Sequence, residues 1–194
     1  MTAPSSICVY CGSSGRVDDR FKESARLLGQ GIGQRGLQLV YGGGRVGLMG
    51  IVADATLEAG GRAVGIIPEH LQTAEVEHPG LTEVHVVDSM HTRKRMMVER
   101  SDAFLVLPGG LGTLDETFEI LTWRQLRLHD KPVILLNIDN YWGPLLKAID
   151  HMIDERFVQE RHRDLFQVVD RIEDAFTALA LSPPPGLPAQ SDLM

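Results

Sequence analysis

Ala103-Phe104-Leu105-Val106-Leu107-Pro108-Gly109-Gly110-Leu111-Gly112-Thr113-Leu114-Asp115-Glu116 packs two structural signals and a break between them into one short stretch. Its first five residues are all apolar and read as a buried strand. From Thr113 to Arg127, Leu114, Phe118 and Leu121, with Leu128 beyond, recur at helical spacing and predict a core-facing stripe. The glycines between make a strand-to-helix turn. Glycine lets backbone amides approach a ligand closely, and a helix start adds free N–H groups and the positive end of the dipole. Such a turn suits a phosphate. Glu116, one turn into the helix, brings a carboxylate beside it. The same residues have a purely structural reading, because Thr113-x-x-Glu116 matches a capping box. The two roles can coexist at one helix start.

Outward from this turn the pattern repeats. Ile7–Cys11, Leu37–Tyr41, Ala63–Ile67, Glu83–Val87 and Pro132–Leu136 read as further short strands, with Phe166–Val169 a shorter last one. Between them lie helical stretches at Arg20–Arg35, Leu48–Ala59, Met90–Arg100 and Gly143–Glu155, and Ile172–Leu181 closes the series. Residues 68–82 lack a clear period and read as a loop that crosses the site's mouth. Short apolar strands alternating with helices predict an α/β fold, Rossmann-like and doubly wound. It would have a parallel sheet of six to seven strands with helices on both faces. Ligands on such sheets bind beyond the carboxyl ends of the strands, where Gly42–Gly50 and Pro108–Thr113 both fall. The expected organisation is a single domain over residues 1–181 with a flexible proline-rich tail over 182–194.

Composition narrows the function. The chain has 194 residues, 43% hydrophobic and 23% charged, ordinary values for a globular domain with a sizeable core. A net charge of −7 excludes a broad basic surface for nucleic acid or anionic membrane. No run of about 20 apolar residues exists for a membrane span, and no basic region followed by a hydrophobic segment opens the sequence. The expected location is cytoplasmic. Cys8 and Cys11 form a C-x-x-C on a strand, where residues three apart face opposite ways, so a structural role is expected and no metal.

Gly42-x-Gly44-x-x-Gly47 matches the dinucleotide fingerprint, but after the second strand rather than the first, with Glu69 only a loose ribose partner. No P-loop and no G-x-S-x-G elbow is present. Met90-His91-Thr92-Arg93-Lys94-Arg95-Met96-Met97 concentrates positive charge on one helix, with Arg93, Met97 and Arg100 on one face. A solvated basic face is the ordinary fate of such a run. Its place just before the Ala103–Leu107 strand lets an arginine fork onto a phosphate or carboxylate instead.

Taken jointly, Met-His-x-Arg-Lys and Pro-Gly-Gly-x-Gly-Thr-x-x-Glu resemble the LONELY GUY (LOG) family, the cytokinin riboside 5′-monophosphate phosphoribohydrolases, often labelled lysine decarboxylases. The resemblance runs from Ile7 to about Leu181 and includes Tyr41–Gly44, Gly47–Gly50, Trp123 and His129–Pro132. Asp115 stands where many members carry glutamate. The resemblance implies hydrolysis of the N-glycosidic bond of an adenosine-type 5′-monophosphate, N6-isopentenyl-AMP or AMP itself, to a free base and ribose 5-phosphate, with no cofactor. Arg93 and Glu116 would be catalytic. Glu75, Arg93, Lys94, Gly110, Leu111, Gly112, Thr113, Leu114, Asp115, Glu116 and Thr122 would contact substrate. Alternatives from the residues alone are a nucleotide-sensing module that does not cleave, or a dinucleotide-cofactor protein. A homodimer is also implied, for which Met96, Met97, Trp123 and Leu126 are candidate contact residues.

Overall fold

The computed structural model describes residues 4–72, 78–183 and 186. Seven strands form one parallel sheet: β1 (Ser6–Tyr10), β2 (Gln38–Tyr41), β3 (Arg62–Pro68), β4 (Glu83–Val87), β5 (Ala103–Val106), β6 (Val133–Leu136) and β7 (Gln167–Val169). Their order is β4-β3-β2-β1-β5-β6-β7. The connecting helices are α1 (Asp19–Gln34), α2 (Gly47–Glu58), α3 (Glu69–Gln72), α4 (Met90–Glu99), α5 (Leu111–Gln125), α6 (Gly143–Asp154) and α7 (Ile172–Leu181). This is the doubly wound α/β arrangement read from the alternation.

Both faces of the sheet are covered, which is why the strands read as apolar runs rather than alternating ones. Alternation still sorts each strand between two core layers. Ile7, Val9 and Cys11 pack with α1, α2 and α7, whereas Cys8 and Tyr10 pack with α4, α5 and α6. β5 divides the same way, Ala103, Leu105 and Leu107 to the first layer and Phe104 and Val106 to the second. Each fully buried large side chain contributes about 1.5–3 kcal/mol. The two cysteines therefore lie in opposite layers, as their spacing on a strand required.

The strand order reverses between β1 and β5, which pair from Ile7↔Ala103 to Tyr10↔Val106. A crevice opens at such a reversal, because the chains leaving the two strands turn to opposite faces. The segment after β1 and the glycine turn after β5 meet there, tied by the Gly12 N–H donating to the Pro108 carbonyl at 3.1 Å.

Several local expectations change. Within residues 68–82, Glu69–Gln72 form one helical turn; residues 73–77, which include Glu75, lie outside the described residues. Most of the tail does too, although the Gly186 N–H donates to the Asp130 carboxylate at 2.8 Å. Helix α5 begins at Leu111 with Gly110 as its N-cap and no side-chain cap, so Thr113 is not a capping residue. Its buried face is Thr113, Thr117, Ile120, Leu121 and Trp123, and Phe118 is exposed. Met97 and Trp123 are core residues rather than a contact face, because they fill the layer under α4 and α5. Leu126 does stand in solvent, with Leu111 and Phe118 along the same helix.

Candidate functional site at the strand-order reversal

A cavity of about 310 Å³ opens at the crevice between β1 and β5. Gly110, Leu111, Gly112, Thr113, Asp115 and Glu116 form one wall. Cys11, Gly12 and Ser13, which follow β1, form the floor, and Met49, Leu71, Met90 and Arg93 close the far side.

The carbonyls of the glycine turn are engaged within the protein. The Pro108 carbonyl takes the Gly12 N–H, the Gly109 carbonyl takes the Tyr141 hydroxyl at 2.6 Å, and the Gly110 carbonyl takes the Leu114 N–H at 3.0 Å. That last bond is the first of the helix. The N–H groups of Leu111, Gly112 and Thr113 precede it and point out of the helix start. No acidic residue stands among the first residues of the helix to compete for the dipole. Thr113 is buried, and its hydroxyl packs where a side chain on Gly109 would have to go.

Arg93 comes from α4, whose N-terminus is capped by Ser89. Its guanidinium is buried: Nε donates to the Ile66 carbonyl at 3.1 Å and Nη2 to the Gly42 carbonyl at 3.2 Å. The Gly42 carbonyl lies just past the end of β2 and the Ile66 carbonyl within the last three residues of β3, so the sheet fixes the charge in the cavity wall. A Cβ on Gly42 would lie 2.0 Å from Nη2, and only glycine leaves room. Space at Gly42 is therefore set by an arginine of this chain. A side chain on Gly47 would strike the Ser13 backbone at 2.4 Å, and one on Gly50 the Arg45 carbonyl at 2.0 Å. Gly42, Gly47 and Gly50 thus each serve close packing of protein on protein.

Burial, and after it the negative charge of Glu116, pushes the Cys11 thiol well above its ordinary range. Cys8 is raised by the same two causes in the same order. Both remain protonated near neutral pH and are poor nucleophiles, whatever the C-x-x-C spacing suggests.

The expected site residues divide. Arg93, Gly110, Leu111, Gly112, Thr113, Asp115 and Glu116 come together at the cavity. Lys94 stands behind it, bridging Asp115 at 3.1 Å and Glu119 at 3.0 Å. Burial works against its charge, but the two carboxylates prevail and raise its pKa. Leu114 packs into the core layer. Thr122 lines a separate apolar hollow with Phe118, Leu121 and Ile149, its hydroxyl donating to the Phe118 carbonyl at 2.7 Å. Cavity residues outside the expected set are Cys11, Gly12, Ser13, Met49, Leu71 and Met90, of which Cys11, Met49 and Met90 stood inside quoted motifs without being read as lining. Their signal was the strand order, which no spacing along the chain displays.

A parallel doubly wound sheet with a glycine turn, a buried arginine and a carboxylate at its strand-order reversal defines a protein of the Rossmann-like class, in which ligands bind at that reversal. A family model described as "Possible lysine decarboxylase" matches residues 49–179. A cytokinin riboside 5′-monophosphate phosphoribohydrolase of Rhodococcoides fascians is 46% identical over 177 residues, 91% of this chain and 89% of that one. Another of that name from Arabidopsis thaliana is 46% identical, covering 82% of this chain and 70% of its own. The chain belongs to this family, the LOG family. Solved structures share the fold at lower identity. The molybdenum cofactor binding protein of Rippkaea orientalis has TM-score 0.69 at 24% identity, covering 92% of this chain and 96% of that one. The molybdenum cofactor carrier protein of Chlamydomonas reinhardtii has TM-score 0.68 at 21% identity, covering 90% and 94%. Among the described residues no helix is long and apolar enough to cross a membrane.

Proposed function

We propose that this protein hydrolyses the N-glycosidic bond of a cytokinin riboside 5′-monophosphate, releasing the free base and ribose 5-phosphate in the cytoplasm. The observation that carries the reading is the junction of a donor-only phosphate cradle and a carboxylate, Glu116, on consecutive turns of one helix beside a buried arginine. The names of the similar proteins supply the substrate class.

Breaking the bond leaves positive charge on the ribose, as in glycoside hydrolysis. The amides of Leu111, Gly112 and Thr113 take the 5′-phosphate and fix the sugar against Glu116. Glu116, ionised, stabilises the developing cation and orients or deprotonates the attacking water. Arg93, whose guanidinium is pinned by two backbone carbonyls, supplies fixed positive charge for the phosphate and for the alignment of Glu116. Met49, Leu71 and Met90 give the base an apolar bed. Lys94 acts from behind, holding Asp115 at the cavity rim. A homodimer is part of the same reading, with the exposed Leu111, Phe118 and Leu126 of α5 as its apolar surface.

Lysine decarboxylation by a pyridoxal group needs a lysine in the cavity for the Schiff base. The four lysines do not fit that role. Lys22 pairs with Asp19 on the surface, Lys94 is held by Asp115 and Glu119, Lys131 donates to the Val98 carbonyl, and Lys147 lies on α6 away from the cavity lining.

The test is chromatography of the protein incubated with AMP and N6-isopentenyl-AMP, each beside its nucleoside and triphosphate. Base and ribose 5-phosphate should appear from a monophosphate only. Glu116→Gln should lose about 10²–10⁴-fold in turnover while the fold persists. Binding of monophosphates without release would favour a sensing module, and near-full activity of the variant would remove Glu116 from the chemistry.

A further inference from the structure

Beyond the glycine turn, on the side away from Glu116, a second hollow of about 290 Å³ shares Gly12, Ser13 and Gly110 with the first. Tyr141 forms part of its wall. Nothing in the motifs singles this residue out, yet its hydroxyl donates to the Gly109 carbonyl of the turn at 2.6 Å.

Tyr141 is placed by a tight reversal of the chain. The two residues before it, Asp139 and Asn140, both hold left-handed backbone, with φ of 48° and 59°. Asp and Asn are, after glycine, the residues that take such angles most readily, and surrounding contacts hold this turn in place. Those contacts are present. Arg20 pairs with Asp139 at 3.1 Å, and the Trp142 N–H donates to Asn137 Oδ1 at 2.8 Å. The Tyr141 ring meets Phe21 and Trp142 edge-on at 5.5 and 4.8 Å.

We propose that Tyr141 is a positioning residue for phosphate recognition, setting the orientation of the Gly109–Gly110 peptide and so aiming the Gly110 amide into the cavity. The argument is geometric. No cis peptide occurs among the described residues, so in this planar trans unit the carbonyl and the N–H point in opposite directions. The Gly109 carbonyl is turned to the Tyr141 hydroxyl on the side of the second hollow, which sends the Gly110 N–H the other way, toward the cradle. A glycine–glycine junction has little steric preference of its own and can flip. A clamp on its carbonyl removes the flipped population, in which an acceptor rather than a donor would face the anion. Tyr141 thus adds a fourth oriented amide to those of Leu111, Gly112 and Thr113.

This inference rests on the phosphoribohydrolase reading, and its test separates the two. Tyr141→Phe keeps the ring and its contacts and removes only the hydroxyl on a partly exposed side chain. Steady-state kinetics with N6-isopentenyl-AMP should show KM raised about three- to tenfold, the worth of one hydrogen bond, with kcat changed less than twofold and the melting temperature within about 2 °C of the parent. Calorimetric titration with AMP should show weaker binding by the same factor, and that readout survives if the protein binds without cleaving. A parent protein that hydrolyses, beside a variant with unchanged KM and AMP affinity, overturns the role of Tyr141 alone. A variant that loses kcat or melting temperature instead of affinity also overturns it, since a merely structural hydroxyl would behave so. A parent protein that neither cleaves nor binds the monophosphates overturns both readings.

Discussion

Replacing Gly42 by alanine should disable Arg93 without altering it. The added methyl would sit 2.0 Å from Nη2 and 3.2 Å from Cζ of Arg93, where ordinary contact begins near 3.4 Å. The guanidinium must retreat by roughly 1 Å or more, because the alternative is displacement of the β2 backbone. Retreat breaks the 3.2 Å bond from Nη2 to the Gly42 carbonyl and loosens that from Nε to Ile66. Losing a hydrogen bond to a charged group costs about 1.5–3 kcal/mol, less whatever the relocated arginine regains. The fold should survive, with a melting temperature lowered by several degrees. Activity should suffer far more, since a misplacement of about 1 Å at a reacting site can cost on the order of 10²-fold. The assay is release of free base from N6-isopentenyl-AMP, measured for Gly42→Ala, Arg93→Ala and the double variant, each with a denaturation curve. If the glycine acts only through Arg93, the double variant will be no slower than Arg93→Ala alone. Gly42→Ala with near-parental kcat/KM, or losses that multiply in the double variant, would refute the reasoning.

Two further outcomes follow from buried polar groups. His129 Nε2 faces the Ile120 carbonyl at 2.9 Å and Nδ1 accepts the Lys131 N–H at 3.2 Å, so the ring is neutral in the fold and protonation at Nδ1 would confront a donor. Burial, chiefly, lowers its pKa to about 4 from an ordinary 6.5. Between those values the unfolded chain binds the extra proton, so stability is full above pH 6.5 and falls toward pH 4, by up to about 3 kcal/mol. Urea unfolding across that window should show the slope, and His129→Gln should flatten it; an unchanged slope would refute the assignment. Lys94→Met should destabilise the protein by about 1–2 kcal/mol, discounted because Asp115 is largely solvated, since it leaves Asp115 and Glu119 without their shared cation. A gain in stability in urea would count against the bridge.

Much of this architecture was legible in the sequence because its signals are local. The apolar run Ala103–Leu107 and the glycines after it could only be a strand entering a turn. Arg93 and Glu116 were marked by motif, and the sheet edge does bring them to one cavity. What was not legible depends on contacts between distant segments. Nothing in Cys11-Gly12-Ser13 shows that β1 pairs with β5, and without that pairing these residues have no site to line. Gly42, Gly47 and Gly50 match a glycine-rich motif because close packing on protein and close approach to a phosphate demand the same residue. Thr113 imitated a cap because the helix starts two residues earlier than its hydroxyl suggests, on a glycine that offers the cradle nothing but backbone. Thr122 shares a helix with Glu116 but not a face.

The reversal of strand order between β1 and β5 divides the chain into two segments, residues 6–99 and 103–181, whose strands pair only there, while helix packing and pairs such as Lys94–Asp115 and Arg20–Asp139 complete the seam. Arg93 belongs to the first and Glu116 with the phosphate loop to the second. Neither segment carries a working site, so activity reports the docking of one upon the other and should vanish with that docking during unfolding. A ligand that spans them favours the joined state by RT ln(1 + [L]/Kd), about 2.7 kcal/mol at a hundred times Kd. The nucleotide is thus a removable crosslink, and its concentration sets how firmly the two segments are held together.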